Sequence, residues 1–263
     1  MTKPQKTDLL LALFVGSLMT ANFLGGKIVA FNLPSWFAEI LNTIFIPLFF
    51  IINLVVSIFT SSTILNDNPF LAYNFFNVIH VSVGILVVPL MFLITDMVEE
   101  VLGREKTKSF VKAGVITMLV MLVVTLLAVW LPADPTRKYF SQDAYASIFG
   151  ISIRMMIASI IAFYFAQIHD IWSFNFWKDK TRGRFLWLRN NASTIVSQFL
   201  DSTIFMFIAF YALTPKFTVT YIFSLIIPYW IFKILFALID TPFCYLGVKW
   251  LRRTNKTNET NEN

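Results

Sequence analysis

Asn190-Asn191-Ala192-Ser193-Thr194-Ile195-Val196-Ser197-Gln198-Phe199-Leu200-Asp201-Ser202 decides how the rest of this chain is read. The stretch reads as a membrane helix, yet one side of it is polar. At 100° per residue, Asn191, Thr194, Gln198, Asp201 and Ser202 fall within about 100° of arc. Val196, Leu200, Ile204 and Phe207 take the other side. A carboxylate and several amides at membrane depth cost free energy, so such a stripe faces a partner or a polar cavity.

Composition extends that reading to the whole chain. Hydrophobic residues make up 57% and charged residues 14%, and the mean hydropathy is +0.70. A soluble domain carries roughly 25% charged residues, so there is too little polar surface here to coat one. The expectation is an all-α polytopic bundle, one integral domain over 1–253, followed by an Asn/Thr/Glu-rich polar tail over 254–263 that reads as disordered. The net charge of +6 does not point to nucleic acid, because the Lys and Arg residues cluster in short loops and the tail. Cys244 is the single cysteine, which excludes an intramolecular disulfide and a cysteine-based metal cluster. No metal or cofactor is expected.

Seven hydrophobic segments lie near 8–31, 40–64, 75–101, 109–131, 147–171, 192–213 and 219–250. Lys3 and Lys6 before an apolar run resemble a signal peptide, but the run continues to Phe31 without a clear cleavage site, so it reads as a true first span. Basic residues gather in loop 102–112, in loop 172–190 and in the C-terminal tail, whereas the opposite side carries Arg137, Lys138 and Lys216. The positive-inside rule therefore places the three basic regions in the cytoplasm of an inner-membrane protein. The front end leaves two topologies. A full crossing by 40–64 puts the N-terminus outside; a partial one puts it inside. The apolar 44–60 core favours the crossing.

Asp201 lies about ten residues into its helix, ~15 Å deep and near the midplane. Lys233 sits at similar depth in the last segment. Asp240, on the same face, is about 10 Å away along the axis, too far to pair with it. Lys233 therefore needs a partner on another helix, and Asp201 is the candidate. Arg154 either snorkels outward or donates to a buried acid or ligand carbonyl. Glu100 is at i,i+4 spacing from Arg104 and reads as its solvated partner, while Asp96, a turn deeper, is the better functional candidate. Asn22 precedes Gly25-Gly26, where a helix can unwind or a neighbour approach closely. His169-Asp170 reads as an interfacial pair without catalytic meaning. Polar residues of this kind can also simply join helices. Nucleotide-binding, zinc-protease and serine-hydrolase motifs are missing, so no ATP hydrolysis or catalytic set is expected.

Three stretches resemble the queuosine precursor transporters, a group of vitamin-uptake-type integral membrane proteins. They are Pro89–Gly103 with Thr95-Asp96 and Glu99; Arg154–Asp170 with Ala158-Ser159 and Gln167; and Leu188–Phe210 with Asn190-Asn191, Ser193-Thr194, Ser197-Gln198 and Asp201-Ser202. The resemblance covers roughly 75–250 and more weakly 8–31. It implies a six-helix core, with 33–74 as an insertion supplying an extra N-terminal segment. It also implies inward transport of a 7-substituted 7-deazaguanine (the 7-cyano or 7-aminomethyl base, or queuine) for tRNA modification. A carboxylate can accept from both N1–H and the N2 amino group of such a base. The expected substrate-binding set is Asn191, Thr194, Gln198, Asp201, Ser202, Phe205, Asp96, Arg154 and Asn22, with Lys233 as buried charge partner. The alternatives are a transporter, or a substrate-binding subunit of an ATPase system, for another nucleobase or vitamin; an intramembrane lipid-modifying enzyme using Asp96, His169 and Asp201; and a purely structural subunit.

Overall fold

A computed structural model describes residues 1–25, 27–59, 76–134, 136, 141–215, 217 and 219–253. Arg137, Lys138, Lys216 and the 254–263 tail lie outside the described residues. The order is α1 (Lys3–Leu24), β1 (Ile28–Asn32), α2 (Ser35–Phe59), β2 (Val78–Ser82), a 3-10 turn (Val83–Leu86), α3 (Val88–Leu102), α4 (Arg104–Trp130), α5 (Gln142–Lys180), α6 (Leu186–Phe210) and α7 (Val219–Arg252). The architecture is an all-α polytopic bundle. Helices α1, α4, α5, α6 and α7 are long and apolar enough to cross a membrane.

Local chemistry explains several boundaries. A capping box starts α1: Thr2 accepts from Gln5 N and Gln5 accepts from Thr2 N, with a proline in the first turn. Pro89 starts α3, where its missing N–H costs nothing. Gly103, at φ 83°, makes the corner between α3 and α4, a conformation that a Cβ would strain.

The helix surfaces are inverted relative to a soluble protein. Ile116, Val120, Val123 and Leu127 point outward from α4, as lipid requires. Inside, large apolar side chains form two clusters, and small and polar residues gather at one helix seam. The most extensive helix–helix contact joins α5 and α6. Ala158, Ala162 and Ala166 of α5 and Ser193, Ser197 and Ser202 of α6 are all fully buried. Without a hydrophobic drive between helices in lipid, such small residues let backbones approach and gain packing contacts.

Four expectations change. First, the apolar run 8–31 is not one span. Helix α1 ends at Leu24, and Ile28–Asn32 pairs antiparallel with Val78–Ser82, Ile28 opposite Ser82 and Asn32 opposite Val78. The segment expected at 75–101 is likewise a strand, a 3-10 turn and a 15-residue helix. Second, the ladder brings residues 28–32 and 78–82 side by side. Lys6 Nζ donates to the Trp250 carbonyl at 2.6 Å, which places the start of α1 beside the end of α7. The N-terminus therefore lies at the basic end of the bundle, beside Arg252, and residues 60–64 of the 40–64 segment lie outside the described residues. Third, the basic "loops" are mostly helical: α4 starts at Arg104 and α5 runs to Lys180. Fourth, Arg189 is a buried residue of α6 at 1% exposure and not a loop charge.

Candidate functional site

Helices α1, α3, α4, α5, α6 and α7 and the 3-10 turn line a cavity of about 80 Å³, with Asn22, Ser82, Asp201, Phe205, Tyr229 and Lys233 in its wall. Lys233 Nζ lies 2.6 Å from Asp201 Oδ2, the partnership that depth alone had indicated. The Lys233 ammonium also sits 4.8 Å from the centre of the Tyr229 ring, a cation–π contact that lowers the cost of holding it there. Asn22 donates to the Leu18 carbonyl and reaches the Met118 sulfur at 3.5 Å. Gly84 closes this wall: a Cβ there would stand 2.4 Å from the Ala21 carbonyl oxygen, so only glycine lets the 3-10 turn lie on α1.

A second cavity of about 20 Å³ adjoins the first on the side of α3, walled by Asp96, Asn190, Thr194, Gln198, Asp240 and Lys233. Lys233 thus lines both cavities. The polar stripe of α6 is accordingly divided. Asp201 and Phe205 turn to the larger cavity, whereas Thr194 and Gln198 turn to the smaller. Asn191 is spent on α7, donating to Thr241 Oγ1 at 2.9 Å and to the Trp187 carbonyl at 2.8 Å. Ser202 is fully buried, and its hydroxyl has no hydrogen-bond partner among the described residues.

Arg154 neither snorkels nor meets an acid. Its Nε donates to the Ile208 carbonyl at 2.9 Å and its Nη2 to the Tyr211 carbonyl at 2.7 Å. It satisfies orphan carbonyls at the end of α6, a capping role within this structure. Glu100 likewise has a different role from the one its spacing implied. It meets Arg189, Lys178 at 3.3 Å and Arg252 at 2.7 Å, a cluster tying α3, α5, α6 and α7 together at the basic end.

Sequence reasoning passed over Asp170. It took the fifth segment to end near 171, but α5 continues about ten residues further, ~15 Å. Asp170 is 1% exposed, accepts from Ser197 at 2.9 Å and meets the carboxyl of Asp96. The signal was present: Ala158, Ala162, Ala166, Asp170 and Phe174 recur every four residues on one ridge. Tyr229, one turn before Lys233 on α7, and Ser82 were also missed.

A family model described as "Putative vitamin uptake transporter" matches residues 82–247, from the end of β2 through most of α7. The chain is 32% identical over 162 residues to the "Probable queuosine precursor transporter" of Bacillus subtilis (strain 168). That alignment covers 61% of this chain and 69% of the relative. No solved structure matches the chain.

Proposed function

The chain belongs to the vitamin uptake transporter family, and from that premise we propose that it carries queuosine precursors, 7-substituted 7-deazaguanines, into the cell across the inner membrane. It is a multi-pass transporter and not an enzyme. The observation that carries the substrate reading is the Asp201–Lys233 pair in the wall of the larger cavity. The edge of a deazaguanine presents an acceptor, O6, next to two donors, N1–H and the N2 amino group. An ammonium beside a carboxylate is the complement of that edge: Lys233 donates to O6 while the Asp201 carboxylate accepts from N1–H and N2. Phe205 and Tyr229 supply aromatic faces for the flat ring, and Asn22 and Ser82 supply polar groups for its remaining nitrogens. In this reading Thr194, Gln198 and Asp96 act from the neighbouring cavity.

The test is restoration of queuosine in tRNA. A host lacking both precursor synthesis and its own transporter, and expressing this chain, is fed the 7-cyano base, the 7-aminomethyl base or queuine separately. Restoration by one or more of them is expected. No restoration by any, with the protein present in the membrane, overturns the substrate.

The basic end faces the cytoplasm in this proposal, since Arg104, Lys106, Lys178, Lys180 and Arg252 gather there. Reporters active only in the cytoplasm, fused ahead of Met1 and after Asn263, are both expected to be active. Activity of only one of them contradicts the shared end that Lys6 and Trp250 define.

A further inference from the structure

Asp96 and Asp170 are 2% and 1% exposed, and their carboxyls are neighbours between α3 and α5. Two carboxylates side by side inside a bundle repel one another when both are ionised, and one shared proton removes that repulsion. Asp96 also lines the smaller cavity. There its Oδ1, Asn190 Oδ1, Thr194 Oγ1 and Gln198 Oε1 have no hydrogen-bond partner among the described residues. Amide and carboxylate oxygens can only accept. The Thr194 hydroxyl can donate to one of them; the acceptors left around about 20 Å³, room for one water molecule, call for a further donor: a proton on the carboxyl or one delivered by water.

We propose that Asp96 and Asp170 form a proton-binding site that couples uptake to the proton gradient, with Lys233 linking it to the base-binding cavity. The ammonium of Lys233 lines both cavities. Its position when it donates to a bound base therefore alters the field felt by Asp96 across the shared wall. One proton enters with one base and both leave on the other side.

The charged and titratable groups around the dyad are few. Glu99 stands a turn along α3; on α7, Asp240 and Cys244 are near Asp96, as is Lys233. From α5, His169 contacts the Ser197 hydroxyl that holds Asp170. Arg189 lies beyond Cys244, engaged with Glu100. Phe14 and Leu18 of α1 and Phe110 of α4 join Ile94 and Val98 of α3 in one apolar cluster.

Coupling rests on the transport reading above, but protonation of the dyad does not, and the experiment separates them. Infrared difference spectra of the purified protein are titrated with pH. A protonated-carboxyl C=O band is expected in the wild type, altered in Asp96→Asn and in Asp170→Asn. Absence of such a band at every pH, or an identical band in both variants, overturns the site. In proteoliposomes, a pH difference of one unit is expected to sustain about a tenfold accumulation of labelled 7-cyano-7-deazaguanine at one proton per base. With Asp170→Asn the ratio is expected to fall to about one, and exchange of internal for external base to lose its pH dependence. Retained tenfold accumulation in Asp170→Asn, or accumulation that follows a sodium gradient instead, overturns the coupling. A protein that moves none of the bases overturns the substrate reading, and the infrared titration still decides the proton site.

Discussion

Asp201→Asn is expected to abolish base uptake and to destabilise the protein. The two effects can be separated. Lys233 is 4% exposed in its side chain and its ammonium meets Asp201 at 2.6 Å. Removing the carboxylate charge leaves a buried cation unpaired, which costs ~3–5 kcal/mol. The same change turns one acceptor facing the base into a donor, leaving a buried polar clash worth about 3 kcal/mol, roughly a hundredfold in uptake. Lys233→Met should destabilise comparably, because it strands the carboxylate. The double variant Asp201→Asn/Lys233→Met removes both charges together and is expected to recover thermal stability in detergent and membrane yield, but not uptake. Recovery of uptake with stability would make the pair helix glue. Wild-type uptake by Asp201→Asn alone would remove it from the binding site.

Glu100→Gln is expected to lower stability by ~3–5 kcal/mol, more than changing any exposed partner of Glu100. Arg189 is 1% exposed in its side chain, and Glu100 is its counter-ion at 9%. Its Nη1 donates to the carbonyls of Gly183 and Arg184, and the Phe174 ring lies 5.4 Å from the guanidinium. Arg252 and Lys178 reach the same carboxylate, but their side chains are 58% and 33% exposed. Exposed pairs contribute about 0–1 kcal/mol, so Arg252→Gln should shift the melting temperature little. Melting curves of the two variants decide this. Equal shifts would mean that burial of Arg189 does not govern the cluster. Since Glu100 joins α3 to α5, α6 and α7, its loss should also loosen the basic end.

The part of the site that was legible in sequence was legible for a reason. A charge at membrane depth is expensive, so Asp201 and Lys233 stood out, and equal depth on two helices was enough to pair them. Asn191 and Arg154 looked the same by that criterion, yet their side chains bond Thr241 and backbone carbonyls. Cost of burial identifies a polar residue that needs a partner; it does not say whether the partner is a ligand, a carbonyl or a neighbouring helix. Asp170 was lost to a boundary error, since a helix of 39 residues outruns the apolar core that marks it in sequence. Glu100 was misassigned because i,i+4 spacing is a local rule, and the stronger partners came from three other helices.

What the sequence determined by itself was the membrane as solvent, the helical nature of the spans, the inward direction of the α6 stripe and the pairing by depth. Each follows from the transfer free energy of single residues or from the 3.6-residue repeat, and neither requires a partner. Tertiary structure alone decided the break of the first apolar run into a helix and a strand, the N-terminus at the basic end, the division of one stripe between two cavities, and the meeting of Asp96 with Asp170. These depend on how helices are rotated and how closely their backbones approach. That is set by contacts among residues far apart in the chain, such as Gly84 against Ala21 and the buried alanine ridge of α5 against the serines of α6.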